Sequence, residues 1–446
     1  MLVQRRGGRV HGALWVLVYL IVAVAPLFVM LIEPRPSGRP FLRDFSVAIA
    51  FAGMSVIGIQ FALTARIPSL KRPFGSDVVY FFHHQISAVA FGLVVLHILL
   101  LIIDDRDTLN LFRLSTAPNR ARFAVAALVC FALLIVLSVL RKRLRLEYVV
   151  WRITHGLLAM AAAALAMTHM QLVGIYLASP WKRALWAVYV AVWIGTIAYA
   201  RIVRPLMMKL RPYEVESVRQ ERGGAWSLRL RPVGHRGAAF HPGQFAWLTV
   251  GRSAFADLEH PFSYSSSASQ PGQPRFTIKA LGNFTATIGG VAKGTRVYVD
   301  GPFGAFTIDR RPKAGAFVFV AGGIGITPIM SMLESMRDRG DRRDCCLVYA
   351  ARDVNSMTFL EELRALEQEI PLRLLLVPME PPTGWTGLQG RISAEILEKA
   401  VRESQRDGGA EIFLCGPPKM MDAVEGILVQ IGIPQRCIHT ERFNLA

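Results

Sequence analysis

Residues 78–103 read VVYFFHHQISAVAFGLVVLHILLLII. A hydrocarbon core ~30 Å thick takes about 20 helical residues to cross, so this run is long enough to span it. It carries no charged residue, yet it holds His83, His84 and His97. An ionisable group at membrane depth costs a few kcal/mol unless it has a partner, which makes each of these histidines a functional candidate. Residues 149–176 form a second apolar run, with His155 and His169. His83 and His97 are 14 residues apart, and so are His155 and His169. Fourteen steps of ~100° come within about 40° of whole turns, so both members of each pair share one helix face, roughly 21 Å apart along the axis. Two such helices side by side present two imidazole pairs, His83 with His155 near one membrane surface and His97 with His169 near the other. A bis-imidazole pair is a natural axial set for haem iron and leaves no open coordination position. His84 competes with His83 only if the helix bulges, because it lies about 140° off the shared face.

Four further apolar runs, at 13–32, 45–63, 121–140 and 184–200, bring the expected spans to six. The composition agrees: of 446 residues 52% are hydrophobic and 19% charged, which excludes a disordered chain and argues against a fully soluble one. The net charge of +19 would suggest nucleic acid in a soluble protein. Here it fits basic loops beside an anionic leaflet, and no nucleic-acid partner is expected. Arg5, Arg6, Arg9, Arg66, Lys71, Arg72, the cluster Arg141–Arg145, Arg201, Arg204 and Lys209 fall on one side. Arg35, Arg39, Arg43, Arg106, Arg113, Arg120, Lys182 and Arg183 fall on the other. The bias places both termini in the cytoplasm. The first run is read as a span rather than a signal peptide, since it is long and ends at Glu33-Pro34-Arg35 with no small-residue cleavage site. Arg66 and Arg152, at the inner ends of the second and fifth runs, suit either haem propionates or anchoring at the membrane surface. Cys130, Cys345, Cys346, Cys415 and Cys437 form no CxxC, so a zinc or iron–sulfur site is not expected.

After residue 211 the pattern changes. Strand-like alternation at 226–231, 244–250, 275–280 and 296–299 gives way, from 316 on, to alternating strands and helices, which is the signature of a parallel α/β sheet. Three segments of the middle region form a set. Pro242-Gly243-Gln244-Phe245 leads to His260-Pro261-Phe262-Ser263-Tyr264-Ser265-Ser266, and Lys279-Ala280-Leu281-Gly282-Asn283-Phe284-Thr285 follows, ahead of Gly301-Pro302-Phe303-Gly304. A flavin needs an apolar wall, a small hydroxyl within reach of N5 and backbone N–H groups for its pyrophosphate. Phe262 supplies the wall, Ser263 the hydroxyl, and Ser265, Ser266, Gly282 and Thr285 the phosphate contacts. Farther on, the strand 316–320 runs into Ala321-Gly322-Gly323-Ile324-Gly325-Ile326-Thr327-Pro328. Glycines let a backbone approach a pyrophosphate closely, and a helix N-terminus supplies donors. Thr327 suits an N-cap and Pro328 the first helical position. Cys415-Gly416-Pro417-Pro418 ends another strand, where open α/β sheets bind ligands, so Cys415 is a candidate neighbour of a nicotinamide. Arg352 follows the second strand, where a 2′-phosphate would be read, which points to NADPH with NADH also admissible.

These residues together resemble the ferric reductase/NADPH oxidase superfamily in a compact bacterial form, over nearly the whole chain. The resemblance implies a six-span α-helical haem domain (1–207), an antiparallel β-barrel FAD domain (208–310) and a parallel α/β NAD(P)H domain (311–446). It implies that His83, His97, His155 and His169 ligate two haems b. It also implies that His260–Ser263 bind FAD, that Gly322, Gly323, Gly325, Thr327 and Pro328 bind NADPH, and that Cys415, Gly416 and Pro417 lie by the nicotinamide. Phe443 takes the place of the family's terminal aromatic against the isoalloxazine. Ser263, Cys415 and Phe443 are then the catalytic set. The implied activity passes electrons from cytosolic NADPH through FAD and two haems, across a bacterial inner membrane. The acceptor would be oxygen (giving superoxide) or a ferric chelate, and alternatively a periplasmic or extracellular protein. No EF-hand pattern is present, so calcium regulation is not expected.

Overall fold

The computed structural model describes residues 2–32, 38–67, 76–256, 258–402, 404 and 409–443, with side chains at 13–28 in the first helix and from 79 onward in the third. Glu33, Pro34, Arg35, Lys71, Arg72 and residues 444–446 lie outside the described residues, as do the side chains of Arg5, Arg6 and Arg9. The chain divides into two compact units, which change over in sequence between Arg204 and Pro205. The expected flavin and nucleotide regions fall together in the second.

The first unit is helical among its described residues: α1 Leu2–Ile32, α2 Phe41–Thr64, α3 Ser76–Asp104, α4 Asn119–Val139, α5 Tyr148–Val173 and α6 Pro180–Ala198. Five of these helices are long and apolar enough to cross a membrane, where α6 continues to Leu210, while the apolar stretch described in α1, Ala13–Phe28, is shorter. Apolar side chains all round, with backbone polar groups satisfied inside each helix, are what a lipid environment demands. Helix α5 stops three residues before the expected end of its run, because Gly174 takes φ +67° and a 3₁₀ turn follows at Ile175–Leu177. Helix α6 opens with Pro180 in its first turn, passes through a π-turn at Tyr199–Val203 and so outruns the expected 184–200. Helix α2 is the inner one, with Ser46, Ser55 and Gln60 buried alongside Phe51 and Met54. Ser55 Oγ (2.7 Å) and Tyr189 Oη (2.6 Å) both donate to the Val22 carbonyl, tying α2 and α6 to α1.

The second unit holds two sheets. Strands β1 Tyr213–Glu221, β2 Ala225–Pro232, β3 Phe245–Val250, β4 His260–Ser263, β5 Arg275–Lys279 and β6 Arg296–Phe303 form an antiparallel sheet in the order β4-β3-β6-β1-β2-β5. A single bridge from Tyr264 to Phe276 joins its two edges. Leu228, Leu230, Leu248, Phe276 and Ile278 fill its core. The reading from sequence passed over β1, where half-buried Glu214, Glu216 and Glu221 and exposed Ser217, Arg219 and Gln220 accompany buried Tyr213 and Val215.

The other sheet is all parallel, in the order β11-β10-β7-β8-β9, from β7 Ala316–Gly322, β8 Asp344–Ala351, β9 Leu372–Pro378, β10 Ala410–Cys415 and β11 Ile438–Glu441. Every residue of β7 is buried. Phe317 and Phe319 pack with α7 Ile326–Asp338 and α8 Leu360–Glu369 on one face. Val318 and Val320 pack with α9 Ala394–Arg402 and α10 Pro418–Gln430 on the other. A strand covered on both faces reads as a continuous apolar run, which is why 316–320 was legible. The order of strands reverses between β7 and β10, and that switch point is where such sheets leave a crevice.

Candidate functional sites

In the membrane unit, α3 and α5 bring the imidazoles of His83 and His155 together, edge towards face, with ring centroids 6.4 Å apart and planes at 65°. Two imidazoles on opposite sides of one metal ion, with bonds of about 2.0–2.1 Å, stand with ring centres roughly 6.3 Å apart. His97 and His169 stand 14 residues farther along the same two helices. His84 is exposed. Each of the four histidines is anchored through Nδ1. His83 donates to Gln60 Oε1 (2.7 Å) and His97 to the Ser46 carbonyl (2.9 Å). His155 donates to Ser138 Oγ (3.1 Å) and His169 to the Arg120 carbonyl (2.8 Å). A ring whose Nδ1 carries the proton presents a bare Nε2 lone pair, the form that binds metal. The donor set therefore fits haem iron with two axial nitrogens. Among the described residues no group of three or more His, Cys, Asp or Glu could hold a metal ion, which leaves these pairs as the candidates. Arg66 is buried just past α2, and Arg152 is half-buried in the first turns of α5. Ser46, Gln60, Ser138 and the Arg120 carbonyl escaped the sequence reading, although Ser46 and Gln60 repeat the 14-residue spacing of the histidines.

In the second unit, β3 sits between β4 and β6 and gathers the three expected flavin segments. Phe245 pairs with Ser263 on one side and Phe303 on the other, and Gln244 Nε2 donates to the Gly304 carbonyl (3.1 Å). His260 stacks on Phe284 at 3.9 Å, which brings the His260–Ser263 and Gly282–Thr285 segments together, and Phe262 lies 6.2 Å from the same ring. Pro261 is tolerated because β4 is an edge strand. Ser263 is only 5% exposed, and among the described residues its hydroxyl has no hydrogen-bond partner. A buried hydroxyl with nothing to bond costs about 1–3 kcal/mol, so it calls for a ligand, and a flavin N5 fits.

The hydroxyls of Ser265 and Ser266 are engaged within the protein. Ser265 turns into the core, where its hydroxyl bonds to Thr277 Oγ1 (2.9 Å) and the Arg275 carbonyl (3.2 Å). Ser266 Oγ accepts from Arg275 N (3.0 Å), and its carbonyl accepts from Ser331 (2.7 Å). Both hydroxyls are therefore taken up within the sheet, and it is the Ser266 carbonyl that ties the sheet to α7. The reason is the edge bridge, which pulls the chain after Tyr264 against β5. Thr285 Oγ1 accepts from Leu281 N (2.9 Å) and Gly282 N (2.8 Å), so it shapes its loop.

At the switch point the loop Gly322–Pro328 meets Cys415-Gly416-Pro417 backbone to backbone. A Cβ on Gly325 would lie 2.3 Å from the Cys415 carbonyl oxygen, and one on Gly416 would lie 3.1 Å from Gly322 Cα. Thr327 is buried and its hydroxyl donates to the Ile324 carbonyl (3.0 Å), while Pro328 lies within the first turn of α7. Cys415 is fully buried. Burial, with the charge of Glu441 adding to it, pushes its thiol well above the usual range, so it stays neutral and serves as a small wall rather than a nucleophile. Glu441, which was not foreseen, stands beside Cys415 in the β10–β11 register and is 7% exposed. Phe443 follows β11 and is 43% exposed. Arg352, just past β8, is exposed and lies 3.2 Å from Glu380.

Comparison with known proteins finds a ferric reductase like transmembrane component at residues 49–167 and an oxidoreductase NAD-binding domain at 319–426. The first match includes His83, His97 and His155 and ends just short of His169. The reductase component of propane 2-monooxygenase from Rhodococcus jostii (strain RHA1) is 32% identical over 228 residues, 49% of this chain and 59% of its own. The ferredoxin reductase component of 3-ketosteroid-9-alpha-monooxygenase from Rhodococcus rhodochrous is 32% identical over 212 residues, 46% and 56% of the two chains. The chain thus spans less than two thirds of these relatives. The ferredoxin reductase in carbazole 1,9a-dioxygenase, a solved structure, matches at 25% identity and TM-score 0.45 over 52% of this chain and 69% of that one. The chain thus joins a segment that matches a ferric reductase like transmembrane component to one that matches an oxidoreductase NAD-binding domain, which is the ferric reductase/NADPH oxidase-like architecture.

Proposed function

We propose that this protein carries electrons from cytosolic NADPH across a bacterial inner membrane to a small acceptor outside, oxygen or a ferric chelate. The carrying observation is the quartet of Nδ1-anchored histidines, with His83 and His155 at the spacing of a bis-imidazole metal site. When bound, FAD would accept hydride and two haems b would carry single electrons onward. His83 and His155 would hold the inner iron through Nε2, and His97 with His169 the outer. With two imidazoles held by each pair, neither iron would keep a position for the acceptor, which would be reduced without binding it. On this reading α1 is the sixth span and the termini are cytoplasmic. The six-stranded sheet, its edges joined at Tyr264–Phe276, is the flavin barrel. Phe262 walls the ring, and Ser263 Oγ donates to it. Backbone N–H groups of Gly322–Pro328 receive the dinucleotide pyrophosphate, with Gly416 and Pro417 opposite. Cys415 and Glu441 border the nicotinamide, and Phe443 covers the flavin face until the nucleotide displaces it. Arg352 reads the 2′-phosphate once that group displaces Glu380, and NADH, which makes no such demand, is also accepted.

Stopped-flow reoxidation of NADPH-reduced protein tests the reading. Fast haem oxidation by oxygen, or by ferric citrate under argon, is expected, and protein with no haem absorbance would overturn it. The curated relatives are reductase components of monooxygenases, which favours a second reading in which the acceptor is a protein. Slow turnover with both small acceptors, together with rapid oxidation by a co-purified protein, would select it.

The hydroxyl of Ser263 yields a further expectation. Ser263→Ala should slow NADPH oxidation by about 10–100-fold, the worth of one hydrogen bond to a charge-developing group. The melting temperature of its flavin-free form should stay equal or rise, because among the described residues the hydroxyl it removes has no partner. A fall in melting temperature with unchanged turnover would show that Ser263 is merely structural.

A further inference from the structure

Helices α2 and α4 carry no histidine, yet each holds both histidines of a neighbouring helix. The bonded pairs Ser46–His97 and Gln60–His83 have residue numbers with one common sum, as antiparallel helices in a single register require. On α4, Arg120 and Ser138 likewise serve His169 and His155. The Ser46 and Arg120 carbonyls can only accept, which fixes the Nδ1–H form of the outer pair. Ser138 Oγ donates to the Leu134 carbonyl (2.7 Å), so it too accepts from His155, sharing its lone pairs with Trp151 Nε1 (3.3 Å). Gln60 differs from the other three. It is 9% exposed, its Oε1 accepts from His83, and its Nε2 has no partner among the described residues. A half-satisfied amide inside an apolar bundle costs free energy, and its one bond goes to His83.

Resting on the two-haem reading above, we propose that Gln60 is a positioning residue that fixes the tautomer and donor strength of His83, and so sets the reduction potential of the inner centre separately from the outer one. A hydrogen bond accepted from Nδ1–H makes the imidazole a stronger donor through Nε2. A stronger donor favours ferric iron and lowers the potential. The outer pair is bonded to backbone carbonyls, which no substitution removes, so side-chain changes at Gln60 act on one centre alone.

The test is optical redox titration of full-length wild type, Gln60→Leu and Gln60→Glu, each repeated in the His97→Leu background to isolate the inner centre. Gln60→Leu should raise the inner potential and Gln60→Glu, a stronger acceptor, should lower it. Each shift should be about tenfold in the oxidised-to-reduced ratio, or 59 mV for one electron. The outer potential should not move. Loss of the inner haem alone in Gln60→Leu, with retention in Gln60→Glu, also supports the proposal, since without its acceptor His83 can take the wrong tautomer. Unchanged potentials in both variants, or loss of both haems in both, would overturn it. Wild type without two low-spin haems would instead overturn the functional reading, which keeps the two failures apart.

Discussion

On the proposed two-haem reading, replacing His97 with leucine will leave one haem per chain instead of two and will cut electron delivery to an outside acceptor by ~100-fold or more. Losing an outer-shell partner of a metal ligand already costs roughly 10–100-fold, and this change removes the ligand itself. Leucine fills the volume but offers no lone pair. The fold should tolerate it, because the carbonyl of Ser46 that loses the Nδ1–H lies inside α2 and retains its helical partner. The pairing adds a sharper requirement. His169→Leu should give the same one-haem protein, and the double variant should be no worse than either single, since residues that act as a unit are strongly non-additive. His83→Leu and His155→Leu should form the other such couple, with His84→Leu silent because that ring is exposed. Pyridine haemochrome stoichiometry and haem reoxidation rates read all of this. A His97→Leu protein with two haems and wild-type reoxidation would remove His97 as a ligand.

That the histidines were legible at all follows from helical arithmetic. A 14-residue separation needs only one straight helix to put two rings on one face, and both α3 and α5 run unbroken between their histidines. The anchors were not legible in the same way. Ser46 and Gln60 belong to a helix whose own pattern gives no hint of a partner, and their meaning comes from the packing of α2 against α3. The span ends were set by local chemistry that apolar runs hide, namely the positive φ of Gly174 and the π-turn after Ala198. In the second unit β7 was plain because burial on both faces leaves a continuous apolar word. Which way the hydroxyls of Ser265 and Ser266 face was not legible, because a serine beside a flavin motif looks alike whether it faces the ligand or the core. Only the Tyr264–Phe276 bridge decides that, and it depends on a residue twelve positions away. The glycines of the nucleotide loop were assigned by type, and the structure gives their separate reasons.

Those reasons predict unequal outcomes for two neighbouring glycines. Gly325→Ala should abolish nucleotide-driven reduction, lowering NADPH oxidation by ~100-fold or more. Its Cβ would sit 2.3 Å from the Cys415 carbonyl oxygen, 2.6 Å from its carbon and 2.8 Å from Gly416 N, all of them backbone atoms of β10 and the turn after it. Overpacking costs about 1–3 kcal/mol when side chains can yield, and here the yielding part must be the backbone of the opposite loop. The two loops would be forced apart at the switch point, where the dinucleotide is expected to lie between them. Gly323→Ala, two residues earlier, meets nothing within 4 Å, and its penalty is the left-handed backbone at φ +53°. That should cost about 1–2 kcal/mol of stability and leave turnover within a few-fold of wild type. The membrane unit gives the control. Haem reduction by dithionite should be intact in both variants, because the substitutions touch the nucleotide sheet and not the histidines. Nucleotide titration by flavin absorbance and turnover with NADPH measure the difference. Equal losses at Gly323 and Gly325 would mean that the close approach of the Cys415 turn is not what shapes the site.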